Sequence, residues 1–120
     1  MRNLTIATIA LVASFLGSGC VTRIGDFTVA STKNMDIKKS LHRVDETIRN
    51  RGVDKAHIIF FIPTKTWVNM KEAMDNAIEK APSSVGLSNV TVKYGEWYIP
   101  LIYGQFWYEI EGNPVYEVEQ

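Results

Sequence analysis

The stretch "HIIFFIPTKTWVNMKEAMDNAIEKAP", His57 to Pro82, decides the fold. Ile58 to Ile62 are five consecutive large apolar residues, a run that predicts a strand covered on both faces and so central in a sheet. Pro63 ends it. From Thr66 the pattern changes period. Trp67, Met70, Met74, Ala77, Ile78 and Ala81 fall on one side of a helix, and Lys71, Glu72, Asp75, Glu79 and Lys80 on the other. Thr66 is a candidate N-cap, and Pro82 stops the helix. One central strand followed by one amphipathic helix leaves the remaining chain to complete the sheet.

Working outward, the flanks supply strands. "GDFTVASTKN" alternates from Gly25, with Phe27, Val29 and Ser31 on one face. "DIKKSLHRVDETIRNRG" has two readings. Leu41, Val44 and Ile48 fit a helical stripe with Ser40 as cap, while Val44, Glu46 and Ile48 fit one face of an extended arm. "NVTVKY" alternates Val90, Val92 and Tyr94, "YGEW" reads as a tight turn, and "WYIPLIYGQFWYEIEGNPVYEVE" supplies two or three strands broken near Gly104 and at "EGNP". Pro100 marks an edge or a bulge. The fold expected is α+β: a small, mostly antiparallel sheet with one amphipathic helix on one face.

Ahead of this domain stands "MRNLTIATIALVASFLGSGC". Arg2 gives a positive start, Leu4 to Leu16 is apolar over about thirteen residues, and Gly17, Ser18 and Gly19 are small, which is the grammar of a secretory signal peptide. The run would be roughly 20 Å long as a helix, short for a membrane span of about 20 residues. Cys20 is the one cysteine of the chain. A thiol without an internal partner is a liability in an oxidising compartment.

Cys20 after a leucine and small residues resembles the lipobox of bacterial lipoproteins, with Leu16 standing one place earlier than the usual leucine. The resemblance implies that the thiol of Cys20 takes a diacylglycerol, that the leader is cut before it, and that its new amino group is acylated. Two or more acyl chains give stable anchoring where one is marginal. Val21 and Thr22 follow, where an Asp after the cysteine would imply retention in the inner membrane, so the resemblance implies the periplasmic face of the outer membrane. The organisation expected is a signal peptide over residues 1–19, a lipidated cysteine and short tether over 20–25, and one domain over 26–120. "GDFTVASTKN", "KEAMDNAIEKA" and "LSNVTV" with "WYIP" and "EGNPV" further resemble a group of small bacterial and prophage lipoproteins. Those motifs are structural and bring no catalytic residues.

Charge excludes some classes. Without Arg2 the chain has twelve Lys and Arg against thirteen Asp and Glu, which speaks against nucleic acid and against a polybasic membrane patch. His42 and His57 make no metal spacing. There is no Gly-x-Ser-x-Gly elbow, and "STK" at Ser31 lacks the spacing that sets a lysine beside a serine nucleophile. Glu109, Glu111, Glu117 and Glu119 alternate as solvated strand carboxylates do. No cofactor and no metal are expected.

Aromatic residues gather between Trp97 and Tyr116. Trp97, Ile99, Leu101 and Tyr103 share a parity that would line the core, and Trp107 is out of phase with Phe106 and Tyr108. One helix cannot bury both faces of such strands. Tyr98, Ile102, Tyr103 and Trp107 are therefore candidates for an exposed partner-binding patch, unless the arm around Val44 and Ile48 folds over it. The function expected is a lipid-anchored, non-enzymatic envelope module that binds another envelope protein. One alternative is a prophage lipoprotein that blocks an outer-membrane receptor against further phage. The other is a small envelope enzyme, for which no motif speaks.

Overall fold

The computed structural model describes residues 1–16, 19–38 and 41–118. Gly17 and Ser18 ahead of the cysteine, the candidate cap Ser40, and Glu119 lie outside them. Helix α1 spans Arg2–Leu16, strand β1 Gly19–Ala30, β2 His42–Val44, β3 Asn50–Ile59, β4 Ile62–Pro63, helix α2 Met70–Glu79, β5 Ser84–Ile99 and β6 Tyr103–Glu117. Among the described residues the strands form one antiparallel sheet in the order β1-β5-β6-β3-β4, with β2 also on β6. The architecture is α+β and mostly sheet.

β6 organises the sheet. Its first part pairs with β3, from Tyr103 opposite Ile59 to Gly112 opposite Asn50. Its last part pairs with β2, Val115 opposite Val44. β2 and β3 thus lie in line along one edge of β6. The bend between them is held by the Asn113 side-chain amide, which donates to the Ile48 carbonyl at 2.7 Å, and by the Asp45 amide donating to the Pro114 carbonyl. The segment from Leu41 to Gly52 is therefore not a helix but two strand pieces, His42–Val44 and Asn50 onward, joined by a turn at Glu46 and Thr47 that breaks the expected face of Val44, Glu46 and Ile48. It lies beside the far end of β6 and leaves the aromatic end uncovered, and Ile48 is itself exposed.

α2 packs on β3, β6 and β5. Ala73, Met74, Ala77 and Ile78 meet Leu87, Val90, Val92 and Ile110, all buried. Fully burying each Leu, Ile or Val side chain stabilises the fold by about 1.5–3 kcal/mol. Gly52 sets how closely the helix approaches. A Cβ there would stand 2.0 Å from the Ala73 carbonyl oxygen and 2.3 Å from the Ala77 amide nitrogen. The cap is Asn69, whose side chain accepts from the Lys71 amide. Buried Asp54 accepts from the Asn69 amide at 2.6 Å and from the Lys65 ammonium at 2.8 Å. This clamp fixes the helix start at Asn69, three residues past the expected Thr66. Trp67 consequently lies in the preceding loop rather than on the apolar face of the helix.

Three further expectations are corrected. Ile58 to Ile62 is not one central strand but the tip of a hairpin. Ile59 pairs with Ile62, and Phe60 and Phe61 turn the corner at φ of 46° and 67°. "YGEW" is not a turn, because β5 runs straight through it. Gly95 is there because the Trp107 ring fills the space that a Cβ would take, at 2.2 Å. β6 is unbroken at Gly104 and at "EGNP", and the chain instead reverses between Ile99 and Ile102.

The start of β1 is a fourth correction. Residues 20–25, expected as a tether, are strand: Cys20 pairs with Glu96 and Thr22 with Tyr94. Long β5 offers a free edge that extends past the alternating stretch from Gly25, and the chain follows it. Among the described residues no helix is long and apolar enough to cross a membrane.

Candidate functional site: the open end of the sheet

Lengths decide what α2 leaves bare. Its ten residues make about 15 Å of helix, whereas the sixteen of β5 run about 50 Å. The helix covers the part of the sheet around Gly52, Val92 and Ile110. Beyond it the same face is a groove of about 910 Å³. Cys20, Thr22 and Ile24 of β1 line it, with Tyr94 and Tyr98 of β5, Phe106 and Tyr108 of β6, Ile58, and Trp67 from the loop before α2. The Tyr94 and Tyr108 rings pack 5.4 Å apart on its floor. The Tyr94 hydroxyl donates to the Glu96 carboxylate at 3.0 Å. Burial, together with that carboxylate, pushes the Tyr94 phenol up.

The opposite face carries the other aromatics. Trp107 lies across Gly95 with the Lys55 ammonium 5.7 Å from its ring centre, a cation–π arrangement. The Trp97 ring meets Tyr103 edge-on at 5.3 Å. The Tyr103 hydroxyl is bonded to His57 Nδ1 and accepts from the Gln105 amide at 2.7 Å. Beside Trp107, Glu109 is buried and bonded to Arg51 and to Lys93. Burial pushes the Glu109 carboxyl up, but hydrogen bonds from Arg51 and Lys93 and the Arg51 charge outweigh it and hold it below the usual carboxylate range. Among the described residues no His, Cys, Asp or Glu cluster of three could hold a metal ion.

The four candidate partner-binding residues do not form one patch. Tyr98 is on the groove face, and Ile102 is in the turn between β5 and β6. Tyr103 and Trp107 are half-buried on the opposite face. Trp97 and Tyr103 do share a face, but it is the one away from α2 and not the core. Cys20 is exposed at the head of β1.

Sequence reasoning missed the apolar tips. Phe60, Phe61 and Ile62 expose 66%, 65% and 71% of their surface, Leu101 63% and Trp67 79%, so none contributes to the core. Two tight turns carry most of these residues. The first places Phe at both left-handed positions of a two-residue hairpin, where Asn-Gly is usual. In the second, the Ile102 amide donates to the Ile99 carbonyl, Pro100 follows Ile99, and Leu101 has φ of 69°. That is the form of a type II turn, whose left-handed position favours Gly. A left-handed non-glycine residue costs about 1–2 kcal/mol. The turns touch, the Phe60 amide donating to the Ile102 carbonyl at 3.2 Å. Pro100 was a usable signal for the second turn, but nothing in the apolar run marked the first.

No family model, curated protein or solved structure matches the chain.

Proposed function

We propose that the chain is a lipid-anchored, non-enzymatic interaction module held at the periplasmic face of the bacterial outer membrane, with Cys20 as the lipidated residue. The observation that carries this reading is the position of Cys20. It is the chain's one cysteine, it is exposed, and in the sequence it stands four residues past Leu16, the last residue of the apolar helix α1. An acylated sulfur there has open space around it and a strand behind it. The half-open groove beside Cys20 suits capture of a partner, since exposed aromatic side chains are what binding surfaces concentrate. The neutral charge balance suits a protein or lipid neighbour better than nucleic acid.

The test is metabolic labelling with radioactive palmitate, with intact mass of the purified chain. The wild type is expected to carry label and a mass consistent with cleavage before Cys20 plus diacylglyceryl and acyl groups. Cys20→Ala is expected to carry none and to leave the membrane fraction. Palmitate incorporation into Cys20→Ala, or an unmodified thiol in the wild type, would remove the anchor from this reading.

A further inference from the structure

The two apolar turns and the head of β1 lie at one end of the sheet. Cys20 pairs with Glu96, and Gly19 with Trp97. β5 then continues to Ile99 before its turn, so the tips project roughly 10 Å beyond Cys20 along the strand direction at about 3.3 Å per residue. The second hairpin reaches the same level, because Ile59 pairs with Tyr103 and the Phe60 amide meets the Ile102 carbonyl.

The composition of this end is layered. The outermost residues, Phe60, Phe61, Ile62, Leu101 and Ile102, are exposed, and the two turns carry no charge. One layer back stand aromatic side chains with a polar atom: Tyr98 and Trp67 on one side, Trp97 and Tyr103 on the other. Ionic side chains follow behind them, with the Lys55 ammonium over Trp107 and the Arg51–Glu109 pair. Aliphatic and phenyl groups outside, then Trp and Tyr, then charge, is the order in which a bilayer presents acyl chain, interface and water. A protein pocket would have no reason to demand that sequence of layers on both faces at once.

We propose that these two turns insert into a phospholipid bilayer, with the aromatic layer at headgroup level and the sheet standing on its end. Insertion of 5–10 Å is the depth at which interfacial apolar groups settle, and the projection of the tips beyond Cys20 matches it. This rests on the lipid-anchor reading for one point only, that a bilayer lies next to Cys20. A glyceryl group on the Cys20 sulfur then sits at interface level while the tips reach the acyl chains. The left-handed Phe and Leu residues fit the same picture, for glycine would relieve the backbone and remove the groups that insert.

The experiment places a photo-crosslinking benzoylphenylalanine in the full chain at Phe61, at Leu101 or, as control, at exposed Glu46 near the other end of the sheet. Each chain is irradiated in intact cells and on vesicles of phosphatidylethanolamine and phosphatidylglycerol, and adducts are identified by mass. Phospholipid adducts at 61 and 101, with none above background at 46, are the expected result. Protein adducts alone at 61 and 101, or no adduct there while thermal melting shows the chain folded, would overturn the proposal. The mass of the uncrosslinked chain reports the anchor separately. A lipidated chain with dry tips loses insertion and keeps the anchor, and an unlipidated chain whose tips still crosslink phospholipid keeps insertion and loses the anchor.

Discussion

Replacing Gly52 by Ala tests the packing that positions the open end. The added Cβ would stand 2.0 Å from the Ala73 carbonyl oxygen, about 1.4 Å short of ordinary contact. It would also stand 2.3 Å from the Ala77 amide nitrogen. Both are helix backbone, so no side chain can rotate away. α2 must lift by about that distance or β3 must bend. A gap of 0.5–1 Å already forfeits about a quarter to a half of each dispersion contact, and the lift would open the seam of Met74 and Ile78 over Leu87, Val92 and Ile110. Overpacking costs about 1–3 kcal/mol, and rigid backbone on both sides puts this case near 3. With a urea slope of about 1 kcal/mol/M for a small domain, the unfolding midpoint should fall by about 3 M. Gly25→Ala is the control, because its new Cβ would touch only the Phe27 ring at 3.8 Å; its midpoint should stay or rise slightly. If Gly52→Ala shifts the midpoint no more than Gly25→Ala, α2 does not rest on Gly52 and the account of the core is wrong.

Other outcomes can be stated briefly. Asp54→Ala leaves the Asn69 amide without its acceptor, which costs about 1–3 kcal/mol; amide exchange in the first turn of α2 should accelerate well before the sheet amides do. Glu109 has a depressed folded-state pKa, so its contribution to stability is present above its ordinary value of 4.5 and is lost as pH falls through the folded value. Urea midpoints of the wild type should therefore drop across that acid window, and Glu109→Gln should flatten the drop. Trp107→Ala removes a half-buried ring from Gly95 and Lys55 and should cost about 2 kcal/mol, with far-UV circular dichroism retained; complete unfolding would show that the ring is part of the main core.

Much of the fold could be read from periodicity. The 3.6-residue spacing of Met70, Met74, Ala77 and Ile78 marked α2, and the alternation of Val90 and Val92 marked β5. What failed did so for definite reasons. Five apolar residues from Ile58 to Ile62 look the same in a row whether they cross a sheet or round a hairpin, and Phe60 and Phe61 occupy conformations that usually announce themselves with Gly or Asn. Gly95 misled in the other direction. It resembles a turn residue, yet its role is to admit a ring from the neighbouring strand. The helix start moved because Asp54, fifteen residues upstream, accepts from Asn69, and no local pattern encodes that contact. The candidate aromatics were expected together in one exposed patch, with the Trp97 and Tyr103 parity on the core. That they lie on opposite faces of an uncovered end depended on the length of α2 relative to β5, a comparison of whole elements.

The pairing of β1 with β5 has a mechanical meaning. A pull on the body away from Cys20 would run along β1, parallel to the strand. The ladder from Cys20 opposite Glu96 to Ala30 opposite Leu87 would then be loaded sideways, its bonds sharing the force together rather than opening one after another as a zip does. A chain tethered through a loop would swivel on its mooring, whereas a tether at Cys20, if the proposed anchor is there, would grip the body along a strand and hold its angle under drag.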